Sequence, residues 1–171
     1  MLWSQAYALE NRELMMDAAL NDVFSLASPD HGRELSRINC HHNYAVREAH
    51  GGREVWITRK GAINAEAGRM GVIPGSMGTS SYIVEGLGNP DSWNSASHGA
   101  GRRMGRNEAK RTLTTESLED AMKGKAWNQD AKGLLDEHPA AYKDIDRVME
   151  DQSDLVRVVH TLRQIANYKG R

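Results

Sequence analysis

"INCHHNYAVREAHGGREVWITRKGAINAEAGRMGVIPGSMGTSSYIVEGLGN", Ile38 to Asn89, is the stretch that decides the fold. Val55 and Ile57, Val72 and Ile73, and Ile83 and Val84 sit in short runs of β-branched residues. Glycines punctuate these runs at Gly51-Gly52, Gly61, Gly68, Gly71, Gly75, Gly78, Gly86 and Gly88. Short apolar runs broken by glycine predict short strands joined by tight turns.

Outward from this stretch the period changes. Leu2 to Leu26 reads as one amphipathic helix, because Leu2, Trp3, Ala6, Tyr7, Leu9, Leu14, Met15, Ala18 and Val23 recur at spacings near the helical period. That face is expected to meet the core, and Ser28-Pro29-Asp30 is expected to end the helix. On the other side, Gly99 to about Lys123 turns helical and basic, with a start signal at Thr115. "AYKDIDRVMEDQSDL" predicts a short helix. "LVRVVHTLRQIANYKG" predicts a closing strand with Val156, Val158, His160 and Leu162 on one face. A strand-rich middle between helical ends predicts an α+β fold, with a mixed or antiparallel sheet flanked by helices.

The chain has 171 residues, enough for one domain with a sizeable core. It is 39% apolar and 26% charged, which suits a globular chain rather than a disordered one. A net charge of -1 gives no bulk attraction to nucleic acid, so any such binding must rest on local patches. Cys40 is the one cysteine, so no intrachain disulfide forms, and a reducing, cytoplasmic setting is expected. No apolar run approaches the ~18 residues of a membrane span, so no membrane partner is expected. The eight methionines are expected to fill the core.

Four glycine-associated segments carry groups suited to a nucleotide: "RKGA" from Arg59, "PGSMGTSS" from Pro74, "HGAGRRMGR" from His98, and the terminal "YKG" from Tyr168. Glycine lets backbone N–H groups approach phosphate oxygens, and hydroxyls and guanidinium groups add donors. None has P-loop or dinucleotide-binding spacing, and a glycine-rich segment is more often just a turn. "NCHHN", Asn39 to Asn43, puts Cys40, His41 and His42 in a row. Adjacent residues on an extended segment face opposite ways, so the three do not readily share one metal. A polar loop with one hydrogen-bonded histidine fits the same letters. His31, His50, His138 and His160 lack such a context and are read as surface or packing residues.

Taken in order, "NCHHNYAVREAHGGREVWITRKGAINAEAGRMGVIPGSMGTSSYIVEGLGN…SHGAGRRMGR…AYKDID…QSDLVRVVHTLRQIANYKG" resembles the RtcB family of RNA-splicing ligases over nearly the whole chain. The resemblance implies a GTP- and manganese-dependent enzyme. Such an enzyme joins an RNA 3′-phosphate or 2′,3′-cyclic phosphate to a 5′-hydroxyl, in RNA repair or tRNA splicing. It implies that His98 is the nucleophile, taking GMP through a phosphoramidate. Arg102 and Arg106, one turn apart on the expected basic helix, would hold RNA phosphates near the guanylate. His42 resembles a manganese ligand of the family. Ser76 and Ser81 resemble guanine-nucleotide contacts, Ala100 a backbone contact in the histidine loop, and Tyr142 a residue that packs on or hydrogen-bonds the guanine nucleotide. Lys169 resembles a base-reading lysine, whose donor toward the guanine carbonyl would select GTP over ATP.

The pattern departs from the family in length. Members are more than twice as long, and the metal-binding Asp-x-x-Cys and Gly-x-x-Asn-His-Phe segments are not found in these residues. The chain is therefore expected to be the C-terminal portion, 1–171, of a larger catalytic domain. The missing N-terminal half and an archease-type activator are its expected protein partners, and RNA ends its substrate. The alternative is a catalytically incomplete fragment that retains only a guanine-nucleotide and RNA binding site. Weak binding of Mn²⁺ by this chain alone is expected on either reading.

Overall fold

A computed structural model describes residues 1–26 and 33–169. The turn expected at Ser28-Pro29-Asp30, His31 and the terminal Gly170 lie outside the described residues.

The glycine-punctuated middle folds into short strands, as expected. Strand β1 (Asn43–His50) pairs antiparallel with β2 (Arg53–Lys60), from Asn43 opposite Lys60 to His50 opposite Arg53. The two-residue turn between them is Gly51-Gly52, with φ of 56° and 74°. Both residues need the left-handed region, which glycine enters without penalty, so the doublet sets the hairpin register. Strand β3 (Ala62–Asn64) pairs antiparallel with β6 (Ser95–Ser97). Strands β4 (Met70–Pro74) and β5 (Ser81–Gly86) form an antiparallel pair, and β8 (Val156–Leu162) adds to the far side of β5. The one parallel pair among the described residues is β7 (Ala126–Trp127) with β9 (Ala166–Asn167).

The described residues also form the helices α1 (Leu2–Leu26), α2 (Arg106–Thr112), α3 (Thr115–Ala121) and α4 (Ile145–Asp151). The fold is α+β with predominantly antiparallel pairing. Thr114 caps α3 by accepting from the Ser117 N–H, and Asp144 caps α4 by accepting from the Asp146 N–H. No helix among the described residues is long and apolar enough to cross a membrane.

Two apolar clusters hold the chain. The larger joins Ile63 of β3, Ile73 of β4, Val84 of β5, Ala96 of β6, Ile145 and Met149 of α4 and Val156 of β8. The smaller joins Met77, Leu118 and Met122 to Ala131 and Leu134. Met77, Met122 and Met149 are buried, whereas Met1, Met15 and Met70 are exposed, so the methionines fill the core only in part.

Three expectations are corrected. Helix α1 exists over the expected span, but it has no buried residue. Its half-buried stripe is Gln5, Ala8, Arg12, Glu13, Met16, Leu20 and Phe24, and every apolar residue of the expected face is exposed. Polar docking decides the face: the Gln5 side chain accepts from the Ala45 N–H at 2.7 Å, Arg12 donates to Asn39 at 2.6 Å, and Glu13 accepts from Arg37 at 2.8 Å. Second, β8 does not keep one buried face. Its register steps from Val84 opposite Val158 to Ile83 opposite His160, leaving Val159 as a bulge. The bulge turns His160 and Leu162 to the face opposite Val156, and Leu162 is exposed; Val158 precedes the bulge and shares the face of buried Val156, yet is exposed as well. Third, the segment from Gly99 is not yet helical. Gly101 has φ 69° and Gly105 is extended, so α2 begins only at Arg106.

Candidate functional site

Gly61 links β2 to β3 and ties together the two histidines singled out by the sequence. Its φ is 70°, which turns the chain sharply after Lys60. Its N–H donates to the His42 carbonyl at 2.7 Å, and its own carbonyl accepts from His98 Nδ1 at 2.7 Å. A carbonyl only accepts, so Nδ1 carries a proton, and in the neutral ring the lone pair then sits on Nε2. The His98 N–H leans on the same carbonyl at 3.3 Å. The His42 ring stacks on the His98 ring, with centroids 5.1 Å apart and planes 11° from parallel. Burial pulls the His42 pKa below its ordinary value, and the neighbouring His98 and Arg12 lower it further. His42 is thus a neutral imidazole at neutral pH, the form that ligates a metal.

Cys40, His41 and His42 diverge, as the extended spacing requires. Cys40 packs on the larger core cluster, His41 sits 3.1 Å from Arg12 and beside the Tyr44 ring, and His42 turns to His98. Among the described residues no group of three or more His, Cys, Asp and Glu side chains could hold a metal ion. Of the other histidines, His138 is buried and caps a 3-10 turn by accepting from the Ala140 N–H at 2.9 Å. His50 lies between Glu48 and the Trp93 ring. His160 is exposed on β8.

The loop after His98 leads to the nucleotide-suited segments. Gly99 and Ala100 are buried, and the Ala100 N–H donates to the Pro74 carbonyl at 3.0 Å. This fastens the histidine loop to the Pro74–Ser81 turn. There Ser76 is buried: its N–H donates to the Thr79 hydroxyl at 2.6 Å, its carbonyl accepts from Gln164 at 2.7 Å, and Ser81 opens β5. The Ala100 N–H is therefore already engaged. A cleft of about 390 Å³ lies along Gly61, His98, Ala100, Gly101 and Lys143.

Beyond Gly101 the remaining predicted residues converge on a carboxylate the sequence reading did not single out. Glu137 accepts from the Tyr142 hydroxyl at 2.6 Å and from Lys169 Nζ at 3.3 Å. Arg106 Nη1 lies 3.1 Å from the other carboxylate oxygen, and Arg102 Nη1 lies 3.7 Å from it. Arg102 also stacks over the Tyr142 ring at 4.8 Å and donates to its hydroxyl at 3.0 Å. The neighbouring Asp136 takes Arg106 at 2.9 Å and Lys110 at 3.4 Å. Arg102 and Arg106 are thus brought together through Glu137, not by one helix turn. Burial pushes the Glu137 carboxyl up, but hydrogen bonds from Tyr142 and Lys169 and the charge of Arg106 outweigh it, and the pKa lies below the ordinary value. Burial, then the bond to Glu137, pushes the Tyr142 hydroxyl up to about 12. The signal for this hub was the acidic pair in "LLDEHPAAY", set against the basic "RRMGR".

The family described as tRNA-splicing ligase RtcB matches residues 1–170. The RNA-splicing ligase RtcB of Escherichia coli is 46% identical over 172 residues, covering 98% of this chain and 42% of that protein. The corresponding RNA-splicing ligase of Mycobacterium tuberculosis is 34% identical over 188 residues, covering 96% and 42%. The tRNA-splicing ligase of Aeropyrum pernix is 38% identical over 135 residues, covering 67% and 28%. All three carry the name of splicing ligases. The chain itself belongs to the RtcB family, and it spans 42% of the length of the first two of these relatives.

Proposed function

We propose that this chain is the C-terminal portion of a GTP-dependent RNA ligase, joining RNA 3′-phosphate or 2′,3′-cyclic phosphate ends to 5′-hydroxyl ends. The observation that carries the reading is the His98 ring, whose Nδ1 proton is held by the Gly61 carbonyl. This leaves Nε2 as a nucleophile. Attack by Nε2 on the α-phosphorus of GTP forms a P–N bond, and pyrophosphate leaves with the electrons of the broken P–O bond. Arg102 and Arg106 then hold RNA phosphates, and Lys169 and Tyr142 bind the guanosine, with Ser76, Ser81 and Ala100 lining the approach.

The residues present do not make a manganese centre by themselves. His42 offers one neutral imidazole, and one ligand does not hold Mn²⁺ tightly. The other ligands would come from polypeptide outside this chain, so no step is assigned to the metal here. The guanine-nucleotide and RNA binding reading draws on a separate observation: the described residues hold a full cation cluster around Glu137 but no cluster of metal ligands.

Both are tested by supplying radiolabelled GTP and Mn²⁺ to a polypeptide in which the N-terminal metal-ligand segments are restored. Label should attach to the protein through an acid-labile, base-stable bond and should be absent from His98→Ala. Lys169→Ala should keep the label but take it from ATP as well. Nucleotide binding without any covalent label would favour the binding-module reading.

A further inference from the structure

We propose that Arg59 is a positioning residue for His98, acting from the buried end of β2 on both segments that meet at that histidine. The consequence for reaction rate rests on the reading of His98 as nucleophile; the effect on His98 geometry does not.

The Arg59 side chain is 1% exposed, and its fork is fully engaged. Nη1 and Nη2 donate to the two oxygens of Glu48 at 2.5 and 2.9 Å, and Nη1 also donates to the Tyr44 hydroxyl at 3.0 Å. These contacts anchor it to β1. The other contacts reach the chain that leads to His98. Nη2 donates to the Trp93 carbonyl at 2.9 Å and the Asn94 carbonyl at 3.3 Å, and Nε donates to the Ser95 hydroxyl at 2.9 Å. Trp93 and Asn94 have φ of 54° and 50°, a left-handed pair without glycine. Such a pair persists only where its surroundings hold it. Ser95 then opens β6, which ends at Ser97, directly before His98.

The second route is shorter. Lys60 and Gly61 follow Arg59 in the chain, and the Gly61 carbonyl holds the Nδ1 proton of His98. One guanidinium therefore fixes the strand that supplies the acceptor and the turn that delivers the ring. The planar fork suits this and an ammonium does not, because the contacts lie in several fixed directions around one plane. Desolvation opposes the charge on Arg59, but the hydrogen bonds and charges of Glu48 and Tyr44 together outweigh it and hold its pKa above the ordinary value.

Three variants of the ligand-restored polypeptide test this: Arg59→Lys, Ser95→Ala and Tyr44→Phe. Ser95→Ala cuts the Arg59 bond on the His98 side together with the hydroxyl's own bond to the Trp93 carbonyl, and Tyr44→Phe cuts a single bond on the far side, so neither needs to unfold the chain. ¹⁵N-histidine NMR, with the His98 signal assigned by its loss in His98→Asn, reads the ring directly. The unsubstituted protein should show Nδ1 protonated and Nε2 bare. Arg59→Lys should show a mixture of the two tautomers. The rate of guanylylation at saturating GTP should fall at least 10-fold in Arg59→Lys and about 3-fold in Ser95→Ala, with the KM for GTP within 2-fold. Tyr44→Phe should leave both within 2-fold. A single Nδ1–H tautomer in Arg59→Lys, or equal rate losses in Ser95→Ala and Tyr44→Phe, would overturn the assignment. Absence of guanylylation in the unsubstituted protein would sink the proposed function instead, and the NMR comparison would still decide the role of Arg59.

Discussion

Glu137 gathers four residues from separate parts of the chain: Arg102, Arg106, Tyr142 and Lys169. Its side chain is 14% exposed, so those bonds operate with little solvent around them. Hydrogen bonds to charged groups of this kind contribute roughly 1.5–3 kcal/mol each. Glu137→Gln should lower the urea midpoint by an amount worth about 2 kcal/mol, because the amide keeps shape but loses charge. The pH dependence has a definite sign. Glu137 and Asp136 both lie below their ordinary values of 4.5 and 3.8. The stability they contribute is complete above those values and is lost as pH falls through the depressed folded-state values. Chemical denaturation should therefore show a loss of stability setting in below about pH 4.5, and Glu137→Gln should remove part of that slope. Such a hub is hard to find in a sequence, since the nearest partner on one side is five residues away and the farthest thirty-five. The individual partners were legible because they sit beside glycines and in basic runs. Their meeting point was not, because nothing in "LLDEHPAAY" marks which carboxylate turns inward.

Elements were more legible than faces. The Gly51-Gly52 doublet forces a two-residue hairpin, and Thr114 and Asp144 cap the helices that follow them, so these boundaries come from local chemistry. Helix α1 shows where local chemistry stops. Apolar residues occur on several sides of it, and its docking face is chosen by Gln5, Arg12 and Glu13 meeting the Arg37–Ala45 segment. Two substitutions separate the faces. Tyr7→Gln, on the exposed side, should change stability by no more than about 0.5 kcal/mol. Leu20→Gln, in the contact stripe beside the groove lined by Met16, Leu20, Val23 and Ile38, should destabilise by about 1–2 kcal/mol. Equal effects, measured by thermal unfolding, would return α1 to the face expected from periodicity alone. The β8 bulge at Val159 was equally invisible, since an inserted residue reverses the alternation without altering composition.

At the scale of the whole molecule, two apolar clusters organise separate parts of the site. The larger cluster carries β3, β6 and α4, and so supports His98 and the Ala100 loop. The smaller holds α3 and the Met77 turn beside Ser76. Leu118 is fully buried in the smaller cluster, so Leu118→Ala should cost about 3 kcal/mol of unfolding free energy, read from denaturant midpoints. The larger cluster does not touch Leu118, so the His98–Gly61 contact should survive that substitution. On the proposed function, His98 would carry the guanylate through Nε2. RNA joining by His98→Asn tests it most directly, in the polypeptide with restored metal ligands and RNA bearing 3′-phosphate and 5′-hydroxyl ends. Asparagine can keep the turn and a hydrogen bond to Gly61, yet it has no ring nitrogen to form the P–N bond. No joined RNA is expected from His98→Asn under conditions where the unsubstituted protein joins it. Joined RNA from His98→Asn would contradict that role and leave "HGAGR" as a turn that clamps phosphate.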